Sequence, residues 1–414
     1  MLTIPQDLDL DRLRAAFPSL QGGTAYFDSP GGTQTPIPVA DAIRDALIAP
    51  LANRGALTAA ARNADDIVEA CRAAFGDFLH VQADTVVFGR SSTALTFDFS
   101  RALARTWRPG DEVVVTRLDH NANVEPWVIA AERAGATVRT ADFDPATGEL
   151  PVGAVVEQLS DRTRLVAVTA ASNLIGTMPD VRDIADAAHR VGALVFVDGV
   201  HYAAHALVDV PALGADLFTC SPYKFMGPHC GVLTARRDLL EDLVPDRLAT
   251  SADVVPERFE LGTLPYELMA GATAAVDFLA AAVPGDGTRR DRLATSVEAF
   301  DRHETALRQR IEEGLQNFPR LTLHSRAARR SPTLFVSLDD RREHALSEFL
   351  AQRDINAPSG HFYARDASRH LGLGDAGALR IGLAPYSSAA DADRLLAAIG
   401  DHLDGDGGPA GAAR

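Results

Sequence analysis

The sequence predicts an α/β protein in which a seven-stranded, mostly parallel sheet is followed by a smaller α+β domain. Three observations carry that expectation. Seven short apolar or β-branched runs lie at 85–89, 112–116, 137–142, 165–171, 194–200, 215–221 and 231–235. Amphipathic stretches such as 181–191 separate them, which implies helical crossovers and a sheet covered on both faces. Past the last run, a helical stretch at 268–282 is broken by Pro284-Gly285-Asp286-Gly287, and a different alternation begins.

Taken in order, the chain opens with an arm at 1–22, where Leu8, Leu10, Leu13 and Phe17 recur at helical spacing, as suits a segment docked on the smaller domain. The larger domain occupies 23–284. Beyond the break, a charged helix at 289–318 leads to strand-like runs at 321–324 and 333–338 and a helix at 343–353, so the smaller domain spans 285–403. The end, 404–414, is too poor in apolar groups to fold.

A chain of 414 residues with 46% apolar content buries a large core and divides into more than one domain. Its net charge of −16 opposes phosphate contacts, so nucleic acid is not an expected partner. No apolar run approaches the roughly 20 residues that span a bilayer, and the first residues lack the basic and apolar segments of a secretion signal. Cys71, Cys220 and Cys230 show no spacing for a metal or a disulfide framework. A soluble, cytoplasmic protein with no metal and no membrane partner is expected.

Among the forty basic residues there is one lysine, Lys224; the other thirty-nine are arginine. Where only a positive charge is needed, this composition uses arginine, so the position that stayed lysine is read as needing an amine. A guanidinium is permanently protonated, whereas an ε-amine can lose its proton when desolvated and attack a carbonyl. Lys224 follows the run 215–220, at the carboxyl edge of a buried strand, where open α/β sheets bind ligands. The run 194–197 delivers Asp198 to the same edge, and the run 165–170 delivers Ser172 and Asn173. An aspartate for a pyridinium nitrogen and a lysine for an aldehyde are what pyridoxal phosphate requires.

Through these residues the sequence resembles the class V aminotransferase family of fold-type I pyridoxal-phosphate enzymes, in the branch of cysteine desulfurase-like and isopenicillin N epimerase-like proteins. The resemblance runs from Tyr26-Phe27-Asp28-Ser29 to Ala389-Ala390-Asp391-Ala392-Asp393-Arg394. It implies that Lys224 forms the imine with the cofactor, that Asp198 binds the ring nitrogen, and that His201 and Asn173 contact the ring hydroxyl. His120 matches the imidazole that stacks on the pyridine face. A strand, a glycine turn and hydroxyl residues opening a helix, 88–94, make a plausible phosphate cradle, because backbone amides at a helix start attract anions. Within the family pattern Ser92, Thr93, Ser221 and Tyr223 are the expected contacts. The segment 258–263 resembles the one through which a second subunit reaches that phosphate, which implies a homodimer with Thr263 at the neighbouring site.

Arg380 matches the arginine that grips a substrate α-carboxylate with two parallel hydrogen bonds. Ser387-Ser388 stand where the family usually has Asn-Thr. His361, Tyr363, Arg54 and Arg90 are further candidates to touch an amino-acid substrate. Cysteine desulfurases carry a nucleophilic cysteine on a loop preceding that arginine. The matching stretch here, 355–365, has none, and His361-Phe362-Tyr363 stand there instead. The expected reaction, through an external aldimine, is therefore β-elimination with C–S cleavage of a cysteine-derived substrate, without a persulfide. Transamination and epimerisation are the alternatives within the family. A cofactor-binding regulator is the alternative outside it, and the short, mildly acidic arm lacks the basic DNA-binding module such a protein carries.

Overall fold

The computed structural model describes residues 8–405. Strands β1 (Val86–Gly89), β2 (Glu112–Thr116), β3 (Thr137–Ala141), β4 (Thr163–Thr169), β5 (Leu194–Asp198), β6 (Leu217–Cys220) and β7 (Gly231–Ala235) form one sheet, in the order β1-β7-β6-β5-β4-β2-β3. Every pairing is parallel except those of β7, which runs antiparallel to both β1 and β6. Apart from the edge strand β3, where Thr137 and Arg139 are exposed, the strands are mainly apolar because both faces are buried. Val195 and Val197 belong to one core cluster and Phe196 to another, on opposite sides of the sheet. Helices supply the cover. In Val181–Arg190 the buried residues are Val181, Ile184, Ala185, Ala187 and Ala188, a stripe at helical period.

The helix Arg289–Leu315 starts just beyond the Pro-Gly break with a capping box, in which the Thr288 hydroxyl accepts from the Asp291 N–H and the Asp291 carboxylate accepts from the Thr288 N–H. It leads into an antiparallel sheet of Leu321–Leu323, Thr333–Leu338, Ala378–Gly382 and Ser359–Gly360, in that order. Helices Glu343–Ala351 and Ala389–Gly405 pack there, with Leu307, Ile311, Leu346, Leu350, Leu395 and Ile399 sharing one core.

The arm lies at the seam of the two cores. Phe17 meets Phe278 edge-on at 5.7 Å and Tyr386 at 5.0 Å, and Arg14 pairs with Asp391 at 3.0 Å. Leu13, Phe17 and Leu20 join the larger core cluster. The residues just after the arm, placed by sequence in the larger domain, run first through the smaller one. Ala25–Tyr26 pairs in parallel with Ile355–Asn356, and Phe27 is buried in that core. Against the unfolded end expected from 404, the last helix carries on through Asp404 and Gly405. The remainder of that segment, and 1–7 of the arm, lie outside the described residues.

Candidate active site

Strand register brings the polar residues together. Thr169 on β4, Asp198 on β5 and Thr219 on β6 are direct neighbours across the sheet, each closing its strand or lying one residue short of its end. Period-two alternation puts Asp198 on the face of Phe196, away from Val195 and Val197. The chain leaves β6 into a short turn, Pro222–Lys224, whose last residue is the lysine. A cavity of about 630 Å³ opens at this edge, inside the roughly 300–1,000 Å³ range of small-molecule sites. Lys224, Asp198, His201, Asn173, His120, Ser92, Thr93, Ser221, Tyr223, Tyr363 and Arg380 all line it.

Burial sets the charge states. Lys224 is 9% exposed, and its amine is held down to about 7, first by burial and then by the Arg380 guanidinium, against the pull of Asp28 and Asp198. Its Nζ donates to the Pro30 carbonyl. Burial raises the Asp198 carboxyl to about 6, opposed by the N–H of Val200, which donates to Oδ1 at 2.9 Å, and by Lys224. His120 is lowered to about 4 by burial, Lys224 and Arg380, so it is neutral at physiological pH. The Ala122 N–H donates to its Nδ1 at 3.0 Å, which leaves the ring proton on Nε2.

Ser91 caps the helix Ser92–Ala104, accepting from the Ala94 N–H at 3.1 Å, and lines the cavity beside Ser92 and Thr93. The Thr219 hydroxyl donates to Ser92 Oγ at 3.0 Å. This helix start lies directly on β7. A Cβ on Gly231 would stand 2.2 Å from the Ser91 carbonyl carbon, so only glycine allows the approach.

The opposite wall comes from the smaller domain. Arg380, 2% exposed, is paired with Asp28, donates from Nη1 to the Asn173 carbonyl at 3.2 Å, and lies 3.6 Å over the Phe362 ring. Phe362 and Tyr363 both have left-handed backbones, with φ of 50° and 60°. Tertiary hydrogen bonds hold them there. Asn173 Nδ2 donates to the Phe362 carbonyl at 2.9 Å and the Asn121 N–H to the Tyr363 carbonyl at 2.6 Å. Tyr363 tilts toward the His120 ring at 5.4 Å.

Four candidates do not line the cavity of the single chain. Arg54 is held by Asp65 and Glu257, at 2.6 and 3.2 Å. Arg90 and Thr263 are exposed. His361 lies just outside, its Nδ1 accepting from the Tyr363 N–H at 3.2 Å. The sequence reading missed Asp28 and Asn121. Asp28 stood within the Tyr26-Phe27-Asp28-Ser29 motif, and that was its one signal.

The class-V aminotransferase family model matches residues 25–395. The chain belongs to the class-V aminotransferase family. It is 33% identical to a cysteine desulfurase of Dickeya dadantii over 94% of this chain and 96% of that protein. It is 29% identical to an aminotransferase-like protein of Gibberella zeae over 94% and 97%. The crystal structure of the Escherichia coli cysteine desulfurase CsdA superposes with a TM-score of 0.85 at 25% identity, covering 96% of this chain and 99% of that one. Class-V enzymes of this kind use pyridoxal 5′-phosphate, and the cavity fits that group. Two buried polar atoms in its wall, Asn173 Oδ1 and His201 Nδ1, have no partner among the described residues. Buried polar atoms normally have one, so the pair marks where a polar ligand belongs.

Proposed function

We propose that this class-V enzyme is a lyase that cleaves the C–S bond of a cysteine-derived amino acid by β-elimination, with no persulfide on the protein. The observation that carries this reading concerns sulfur. None of Cys71, Cys220 and Cys230 lines the cavity, and all three are buried. Burial raises all three thiols, Cys230 to about 12, so none is a ready thiolate. The loop that carries the nucleophilic cysteine in desulfurases here presents Phe362 and Tyr363.

Pyridoxal phosphate, when bound, supplies an aldehyde for an amine and a cationic ring that withdraws electrons from the substrate Cα. Lys224 would bond the aldehyde, Asp198 would face the ring nitrogen, and Asn173 and His201 would meet the ring hydroxyl. Ser92, Thr93, Ser221, Tyr223 and the helix start would hold the phosphate. In this reading Arg380 grips the substrate carboxylate through its planar fork. Lys224 Nζ, whose burial favours the free base, accepts the Cα proton, and His120 Nε2–H or the Tyr363 hydroxyl protonates the departing sulfur. With one water, the substrate yields a thiol, ammonia and a 2-keto acid.

The same reading takes the enzyme to be a homodimer. Leu57, Val254 and Leu261 are 97%, 58% and 59% exposed, and the Arg54–Glu257 ion pair joins the loop of the first to the segment of the other two. A second copy covering that patch suits the reach of the partner subunit's Thr263 to the phosphate site. A cytoplasmic setting suits three free thiols.

An amino-acid panel assayed for keto acid, ammonia and thiol or sulfide tests the reaction, run alongside a variant with all three cysteines changed to alanine. Elimination predicts all three products from both proteins. Keto acid formed only with an added amino acceptor would replace this reading by transamination. Sulfide lost in the cysteine-free variant would restore a persulfide route.

A further inference from the structure

Asn173 stands between the two walls of the cavity and faces three ways. It follows β4 at the carboxyl edge of the seven-stranded sheet. Its Nδ2 donates to the Phe362 carbonyl at 2.9 Å, and its own backbone carbonyl accepts from Arg380 Nη1 at 3.2 Å. Its Oδ1 is buried without a partner among the described residues. Chemistry fixes which end of the amide points where. A backbone carbonyl only accepts, so the nitrogen must face Phe362, which leaves Oδ1 for whatever occupies the cavity.

The segment that Asn173 holds does not hold itself. Phe362 and Tyr363, with φ of 50° and 60°, sit in a conformation that residues with side chains keep only where their surroundings impose it. Asn121 supplies part of the restraint, its N–H donating to the Tyr363 carbonyl at 2.6 Å and its Oδ1 accepting from the Arg365 N–H at 3.3 Å. The Asn173 amide supplies the rest. In place, the segment lays the Phe362 ring over the Arg380 guanidinium at 3.6 Å and brings Tyr363 to the cavity, 5.4 Å from the His120 ring. A buried oxygen with no partner costs free energy, so the empty cavity favours turning the amide away, and turning it breaks the bond to Phe362. A hydroxyl donating to Oδ1 satisfies the oxygen only in the orientation that keeps Nδ2 on Phe362. A ligand that prefers one arrangement shifts the population toward it.

We propose that Asn173 is a positioning residue that couples the two walls: the ring hydroxyl of the bound cofactor fixes its amide, and the amide holds the Phe362–Tyr363 segment over Arg380. The inference rests on the cofactor site proposed above. It makes the grip on the substrate carboxylate depend on an atom of the cofactor that takes no part in bonding Lys224.

The test is hydrogen exchange of the purified full chain, followed by mass spectrometry over residues 361–365. The N–H groups of Tyr363, Ala364 and Arg365 donate to His361 Nδ1, the His361 carbonyl and Asn121 Oδ1, and they exchange when the segment opens. Pyridoxal phosphate is expected to slow their exchange by about 2- to 10-fold, the weight of one net hydrogen bond. The 3-deoxy analogue, which lacks the ring hydroxyl, is expected to bind, as read by the mass gained on borohydride reduction, and to leave exchange at the rate of the empty chain. Asn173→Asp keeps the shape but cannot donate to Phe362, and in it the cofactor-dependent slowing should vanish. A merely structural contact, or simple shielding by the bound cofactor, would leave that slowing in place in the variant or reproduce it with the analogue, and either result overturns the proposal. The analogue needs no substitution, so the outcome stands even where Asn173→Asp does not fold. If the unmodified chain develops no visible band with pyridoxal phosphate, the cofactor site itself fails; if the band forms and exchange does not slow, only the coupling through Asn173 fails.

Discussion

Raising the pH over the apo-protein in the presence of pyridoxal phosphate probes the uncharged state of Lys224. The amine is lowered from its ordinary 10.5 to about 7. At about 1.4 kcal/mol per tenfold change in proton affinity, that displacement corresponds to roughly 5 kcal/mol in favour of the free base. At pH 7.4 an ordinary lysine is about 0.1% free amine, whereas this one would be about 70% free, a difference approaching a thousandfold in reactive species. Stopped-flow absorbance should show cofactor capture rising with pH, half-maximal near 7 and flat by about 9. Arg380 is the second cause of the depression, and its removal also frees Asp28 to favour the ammonium, so Arg380→Gln should move the midpoint upward. Stability must follow the same sign. The folded value lies below the unfolded one, so the unfolded chain binds more protons between about 7 and 10.5, and apo-protein stability from this group rises with pH across that window. Lys224→Met should abolish both the capture and that part of the rise. A capture rate that keeps increasing in proportion to hydroxide beyond pH 9 would show an ordinary lysine and refute the burial argument.

Three other perturbations follow from named contacts. Gly231→Ala drives a Cβ to 2.2 Å from the Ser91 carbonyl carbon, which is backbone and cannot swing aside, so about 1–3 kcal/mol of stability should be lost together with cofactor affinity, read by melting and by Kd for pyridoxal phosphate. Glu260→Ala leaves Arg72, 7% exposed, without the bidentate partner that holds it at 2.7 and 3.0 Å, and chemical denaturation should show a loss of about 3–5 kcal/mol. Phe362→Ala uncovers the guanidinium of Arg380, now 3.6 Å from the ring, and should raise KM for the amino acid by about 2- to 30-fold with a smaller change in kcat.

The parts of this molecule legible in its sequence are those governed by local rules. A strand buried on both faces is mainly apolar, and all seven runs read from the sequence form strands of one sheet, the part-exposed edge strand β3 included. Lys224 was legible for a different reason. A chain that uses arginine for every other basic residue singles out the one position that stayed lysine, and that residue lines the cavity. Asp28 escaped because its partner, Arg380, is 352 residues away, and no periodicity links the two. The Phe362–Tyr363 backbone escaped because nothing local favours φ near +50° in an aromatic residue; distant donors, Asn173 and Asn121, hold it there. Arg54 and Arg90 were further candidates to touch a substrate and Thr263 was expected to reach a neighbouring subunit's site; a single chain brings none of the three to the cavity. The contrast has a physical basis. The sheet edge that holds Lys224 and Asp198 is built from neighbouring strands, so local sequence reports it. The opposite wall of the cavity is built where the two cores touch, from pairs such as Arg380 with Asp28 and Asn173 with Phe362, and in the proposed reading it is there that substitutions would alter substrate preference while the Lys224–Asp198 edge stays intact.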